Sequence, residues 1–133
     1  MPGRDTRELG AIFAGGVVGA LLRVALLHTH AGAAPGWPWV TFAENILGTF
    51  LLGYFATRLQ ERLPLSAYRR PLLGTGFCGA FTTMSSFALE TSNLMEGNRF
   101  LLMALNILAN VGLSIGAVIG GKMVGDQIMA KVL

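Results

Sequence analysis

Gly74-Thr-Gly-Phe-Cys-Gly-Ala-Phe-Thr-Thr-Met-Ser-Ser-Phe-Ala-Leu-Glu90 is the stretch on which the reading of this chain turns. It lies between apolar segments, yet it holds three glycines in six residues and then four hydroxyls in five. A helix facing lipid has no use for that composition, and every backbone group it loosens needs a partner inside the membrane. The stretch reads as a broken transmembrane helix, either buried in protein or lining a polar path, and as the functional centre. Gly74, Gly76 and Gly79 each lower helix propensity by about 1 kcal/mol relative to alanine. A breach there frees carbonyls that can hold a cation and amides that can face an anion. The hydroxyls of Thr82, Thr83, Ser85 and Ser86 either face such a path or bond back to a carbonyl one turn earlier. Glu90 is a functional candidate as a carboxylate inside the span; near the interface it would simply be solvated.

Outward from this stretch, 133 residues leave room for one domain. The chain is 53% hydrophobic and 13% charged, with 18 glycines and a mean hydropathy of +0.57. Those values place it among integral membrane proteins. A pI near 9.6 brings nucleic acid to mind. The basic residues sit between apolar segments and form no stripe, so that partner is set aside. A single cysteine, Cys78, rules out an intrachain disulfide and a multi-cysteine metal site. His28 and His30 lack a third ligand and read as a loop pair.

Four spans are expected, at about 9–27, 39–58, 71–95 and 100–121, within a single membrane domain covering residues 1–133. The last is the clearest, with no charge between Arg99 and Lys122. Its length suits a hydrocarbon core of about 30 Å. Trp37 and Trp39 stand where interfacial aromatics are expected. The first span has a rival reading as a signal peptide, with Arg4 and Arg7 ahead of it and Ala31-Gly-Ala33 as a cleavage site. Arg23 interrupts it well before that site, so a span is the better assignment. The connections, at about 29–37, 59–70 and 96–99, are too short for an extramembrane domain.

Residues four apart share a helix face. Ala11, Gly15, Gly19 and Arg23 form one stripe, and Gly112, Gly116 and Gly120 another; both read first as helix-packing seams. Asn106, Asn110 and Ser114 line a polar face of the last helix, while Asn45, Thr49 and Gly53 do so on the second. Such stripes serve as interhelical glue or as stepping stones for an ion shedding water. No Ser-His-Asp set, phosphate-cradling loop or metal cluster marks an enzyme. A proton-coupled multidrug exporter would want a carboxylate deep in its first helix, where none follows Glu8. A purely structural subunit gains nothing from exposed carbonyls.

Gly79-Ala-Phe-Thr-Thr-Met-Ser-Ser-Phe87 followed by Glu90 resembles the signature of the Fluc (CrcB) fluoride channels, a Gly-x-x-Thr-Thr-Phe-Ser-Thr-Phe motif in a broken third helix. Gly19-Ala-Leu-Leu-Arg23 and Asn45-x-x-Gly48-x-x-x-x-Gly53 extend the likeness to nearly the whole chain. The resemblance implies an all-α integral membrane protein of four transmembrane helices, assembled as an antiparallel, dual-topology dimer. It implies passive, selective fluoride efflux through a multi-pass channel of a bacterial or archaeal cell (inner) membrane, in contact with lipid. A structural, non-transported sodium ion would be held by the backbone carbonyls of Gly79 and Thr82 from both subunits. Asn45, Ser85, Phe87, Asn106, Asn110 and Ser114 fall on the implied fluoride pore, with Arg23, Thr83 and Glu90 as further candidates. Met84 stands where the family has its first pore phenylalanine, and Ser86 replaces a threonine. Arg4, Arg7, Arg58, Arg62, Arg69, Arg70, Lys122 and Lys131 share one side of a four-span topology, with Arg23 and Arg99 nearer the other. That bias favours cytoplasmic termini. It leaves the second subunit as either another copy of this chain or a homologous partner chain.

Overall fold

The computed structural model describes residues 5–29, 36–59 and 67–132. Arg4, His30, the Ala31–Ala33 cleavage-site reading and Arg62 lie outside them. The described residues are helical without strands: α1 is Thr6–Thr29 and α2 Trp39–Arg58. Next comes α3, wound as a π-helix over Pro71–Cys78 and as an α-helix over Gly79–Phe81. It leads to α4, Met84–Glu96, and α5, Phe100–Val132. The turn into α5 places Asn98 at φ 56°, a left-handed conformation that asparagine tolerates well.

Among the described residues, three stretches are long and apolar enough to cross a membrane: Thr6–Thr29, Pro71–Glu96 and Phe100–Val132. Helix α2 is 20 residues long, but Glu44, Asn45 and three threonines dilute its hydropathy. Helix α5 outruns the expected span of 100–121. Its 33 residues measure about 50 Å, and the added turns carry Lys122, Asp126 and Lys131. Nothing stops the winding after Lys122, because no proline follows it.

Glycine decides how the helices approach. A methyl group on Gly15 would strike the Leu72 carbonyl, and one on Gly19 the Phe77 carbonyl, so α1 lies backbone to backbone on α3. Gly76 answers from the α3 side against Ile12 and Gly16. Helices α2 and α5 meet the same way, Gly53 against Val118 and Gly121 against Phe50. The working seam on α5 is therefore Gly121 with Gly125. The expected Gly112–Gly116–Gly120 stripe looks elsewhere: Gly112 and Gly116 have open space where a side chain would go.

Few apolar side chains are buried: among the described residues only Cys78, Phe81, Phe87 and Leu94. The accessible surface is 8900 Å², against about 6,700 Å² for a compact soluble chain of this mass. Leucine, isoleucine and valine crowd the outside. Close helix contact, rather than a core, holds this chain together.

Replacing Gly53 or Gly121 with alanine is expected to lower unfolding stability by about 1–3 kcal/mol, since the backbone must part to admit a methyl group. Gly10→Ala, which meets nothing within 4 Å, should stay within about 0.5 kcal/mol of the parent. Thermal unfolding of the purified protein in detergent reads all three.

Candidate ion path at the helix interruption

Helical winding stops at two residues. Thr82 has φ −77° and ψ 150°, and Thr83 has φ −142° and ψ 121°, both extended. The glycines that precede them do not unwind; they are carried in the π-wound turn, where the Gly79 amide reaches back to the Gly74 and Gly76 carbonyls. Threonine suits the extended positions because its branched side chain favours them.

Side chains answer several of the backbone groups released here. The Thr83 amide donates to Asn45 Oδ1 at 2.9 Å, and Asn45 Nδ2 donates to the Thr83 carbonyl at 3.2 Å. Asparagine thus clamps one extended residue from both sides, as a β-strand neighbour would. Thr83 caps the new helix: its Oγ1 accepts from the Ser86 amide at 3.2 Å. Arg23 Nε donates to the Ala80 carbonyl at 3.1 Å, so the α1 stripe ends on the interruption. Thr82 Oγ1 bonds back to the Cys78 carbonyl at 2.9 Å.

The four carbonyls from Gly79 to Thr82 lose their helical donors, and Arg23 answers that of Ala80. In an unbroken helix the Gly79 oxygen would accept from the Thr83 amide and the Thr82 oxygen from the Ser86 amide. The first amide has gone to Asn45 and the second to Thr83 Oγ1. Gly79 is also exposed, with nothing within 4 Å of where a side chain would be.

The clamp continues into α5. Asn45 Nδ2 lies 3.4 Å from Asn110 Oδ1. Asn110 Nδ2 donates to Asn106 Oδ1 at 2.7 Å, and Asn106 Nδ2 to Thr91 Oγ1 at 3.2 Å. Thr91 closes the line on the Phe87 carbonyl at 2.7 Å. Helices α2, α4 and α5 are joined at the interruption by one relay of amides and hydroxyls.

Beside this relay is an open cavity of about 260 Å³. Asn45, Met84, Phe87, Asn110 and Ser114 all line it, together with Thr49, Thr82 and Thr83. Asn106 lies behind the wall, 0% exposed, and Ser85 is exposed outside it, its hydroxyl 3.3 Å from Thr83 Oγ1. Glu90 lines a separate cavity with Asn93 and Arg99, and accepts a 2.6 Å hydrogen bond from Thr41. Sequence reasoning missed Thr41 and Thr91. Extending the Asn45–Thr49 stripe one turn back would have reached Thr41, whereas Thr91 matters only through the fold.

These features define a membrane-embedded helical protein with a polar seam at a helix interruption. Comparison with known proteins sharpens that class. A family model described as CrcB-like protein, Camphor Resistance (CrcB), matches residues 10–122. A protein of Mycolicibacterium paratuberculosis named fluoride-specific ion channel FluC 1 is 52% identical over 118 residues, 89% of either chain. Proteins named fluoride-specific ion channel FluC are 40% identical over 112 residues in Allorhizobium ampelinum (84% of this chain, 90% of that one) and 36% identical over 122 in Magnetococcus marinus (91% and 99%). The chain belongs to the CrcB-like family, whose named relatives are channels and not enzymes.

Asn45→Ala removes both halves of the Thr83 clamp and should cost about 1–3 kcal/mol, the penalty for stranding buried backbone groups. Ser85→Ala should change stability by no more than about 0.5 kcal/mol. Equal melting temperatures for the two variants would show that the clamp does not support the interruption.

Proposed function

We propose that this chain is a fluoride channel subunit that lets the anion leave the cell passively. The carrying observation is the cavity lined by Asn45, Met84, Phe87, Asn110 and Ser114 at the helix interruption. The relatives' shared name supplies the ion.

The lining chemistry suits that ion. Fluoride is small and strongly hydrated, so its path must replace water with compact donors. Conduction also requires binding weak enough for release. The Asn45 amide protons are engaged at 3.2 and 3.4 Å, long enough to be exchanged for a passing anion. The Ser114 hydroxyl faces the same cavity with no partner among the described residues. Phe87 offers a ring with a positive edge. Met84 is 74% exposed at the cavity wall and offers a polarizable thioether in place of a ring. No cation lines this cavity, so nothing in its wall holds fluoride as a salt. Weak acid HF enters a cell, dissociates at cytoplasmic pH, and the anion leaves by this route.

The assembly follows from the same reading. Helix α2, with its buried Thr41, Glu44 and Thr57, completes a four-crossing bundle despite its modest hydropathy, and Pro71–Glu96 crosses with its break midway. The apolar outer faces and the open Gly79 surface take lipid and a second, oppositely inserted subunit, another copy of this chain or a homologue. The carbonyls of Gly79 and Thr82 are hard oxygen donors without helical partners, a fitting set for a sodium ion shared by two subunits. Such an ion would supply fixed positive charge that ties the two interruptions together. The setting is a bacterial or archaeal cytoplasmic membrane.

Liposomes holding the purified chain alone should release fluoride quickly and retain chloride, as followed with a fluoride electrode and a chloride control. Release only after a homologous chain is added would assign the second subunit to that homologue. No release in either case would overturn the channel reading. Met84→Phe should alter the release rate several-fold while leaving chloride excluded; an unchanged rate would place residue 84 away from the ion.

A further inference from the structure

Thr91 stands outside the lining of the cavity at the interruption, yet it terminates the relay that borders it. Its proton goes to the Phe87 carbonyl at 2.7 Å, the ordinary back-bond of a threonine in an apolar helix. A threonine that only back-bonds has no further part to play. Here the same oxygen also accepts from Asn106 Nδ2 at 3.2 Å, and Asn106 is 0% exposed.

An asparagine amide can be turned over, and its two ends are opposite in character: the oxygen accepts and the NH2 group donates. The two ends of the relay remove that freedom. A carbonyl can only accept, so the Thr91 proton is held by Phe87 and Thr91 Oγ1 meets Asn106 as an acceptor. Asn106 then turns its NH2 to Thr91 and its oxygen to Asn110, which answers with its own NH2 at 2.7 Å. Asn110 Nδ2 also reaches the Asn106 carbonyl at 3.0 Å, so its protons are spent on the side away from Asn45. At the far end a backbone amide can only donate. Thr83 N–H therefore takes Asn45 Oδ1 and turns the Asn45 NH2 toward Asn110 Oδ1. Both ends dictate the same direction. The contact between Asn45 and Asn110, at 3.4 Å, is the longest in the relay.

We propose that Thr91 is a positioning residue of the ion path: it fixes the direction of the relay, keeps the Asn110 NH2 turned away from the cavity and leaves the Asn45 proton for the anion. Asn45 and Asn110 both line that cavity. An anion arriving there draws the Asn45 proton from Asn110 Oδ1, exchanging one weak bond for another. To gain a second donor it must turn Asn110 over, then Asn106, and then pull the Thr91 proton off the Phe87 carbonyl. Each step breaks a bond already in place. Without the Thr91 hydroxyl the end of the relay no longer resists. Both amides then bring N–H groups to the anion, which binds more tightly and leaves more slowly. The hydroxyl keeps the site weak enough for flow.

The rate consequence rests on the fluoride-channel reading; the fixed direction of the relay does not. The test therefore has two arms, both on the full chain. Thr91→Val keeps the shape and removes the hydroxyl, whereas Thr91→Ser keeps the hydroxyl; Thr91→Ala replaces the valine variant if that one fails to fold. In detergent without fluoride, side-chain amide NMR should show the Asn106 NH2 protons exchanging with water about fivefold faster in Thr91→Val, as loss of one net hydrogen bond gives. Thr91→Ser should match the parent. In liposomes, fluoride release is measured over a range of fluoride concentrations. Thr91→Val should lower both the maximal rate and the half-saturating concentration about fivefold, and Thr91→Ser should restore both. In an Asn110→Ser background Thr91→Val should have no further effect, because the amide through which it acts is gone. Unchanged exchange in Thr91→Val overturns the fixed direction. A slower rate without a lower half-saturating concentration, or the same loss in the Asn110→Ser background, overturns the positioning role and leaves Thr91 a packing residue. Faster exchange with no fluoride release from the parent, alone or with a homologous chain, upholds the fixed direction and overturns the channel reading instead.

Discussion

Two extended residues inside an apolar environment set the terms for this structure. Thr82 and Thr83 withdraw their backbone from the helical ladder, and no water stands by to replace the lost bonds. Asn45 meets that need by donating to and accepting from the same residue. Its position is fixed in turn by the close contact of α2 with α5, which Gly53 and Gly121 permit. Arg23 reaches Ala80 only because Gly15 and Gly19 let α1 press against α3. The glycine seams matter to function through this chain of dependence: they bring the polar groups within hydrogen-bond distance of the interruption.

The same constraint shows which backbone groups are left available. The Thr83 and Ser86 amides have side-chain partners, whereas the Gly79 and Thr82 carbonyls lose theirs to side-chain acceptors. On the proposed reading, carbonyls left without donors would suit a cation at the interruption. The amide and hydroxyl side chains of α2 and α5 instead present donors to the cavity beside it. Opposite preferences thus stand within a few residues of each other without a single ionised group lining the cavity wall. Neutral dipoles can hold that contrast because they were oriented when the chain folded.

Much of this was legible in the sequence, though not always for the right residues. Apolar runs and short connections gave the helices, and the spacing Asn106–Asn110–Ser114 gave a face that the fold turns inward. The Gly74–Gly79 run was read as the place where winding fails. It is wound, loosely, as a π-helix, and the extended residues are the threonines beyond it. Propensity alone misjudges this because a glycine's local cost is small beside a tertiary clamp such as Asn45. The Gly112–Gly116–Gly120 stripe has the same pattern as Gly121–Gly125, and spacing cannot say which of two adjacent faces a neighbour will occupy. Glu44 carries no signal in the sequence beyond its place near the start of a span. The charges that face it, Arg23 and Glu90, come from elements far apart in sequence.

Arg23 brings the electrostatics of the path to a point. A guanidinium near an anion path invites tight binding, and tight binding opposes flow. Here its Nε is committed to a backbone carbonyl, and Glu44 faces the remaining charge. The positive charge is thereby kept for fastening the interruption and is largely cancelled toward the cavity. On the proposed reading, that arrangement leaves Asn45, Asn110, Ser114 and the Phe87 edge to carry the ion. Dipoles of that kind bind an anion weakly one at a time and well enough in sequence. On that reading, Met84 in place of an aromatic ring weakens one more contact in the row, so the row must rely more on its amides.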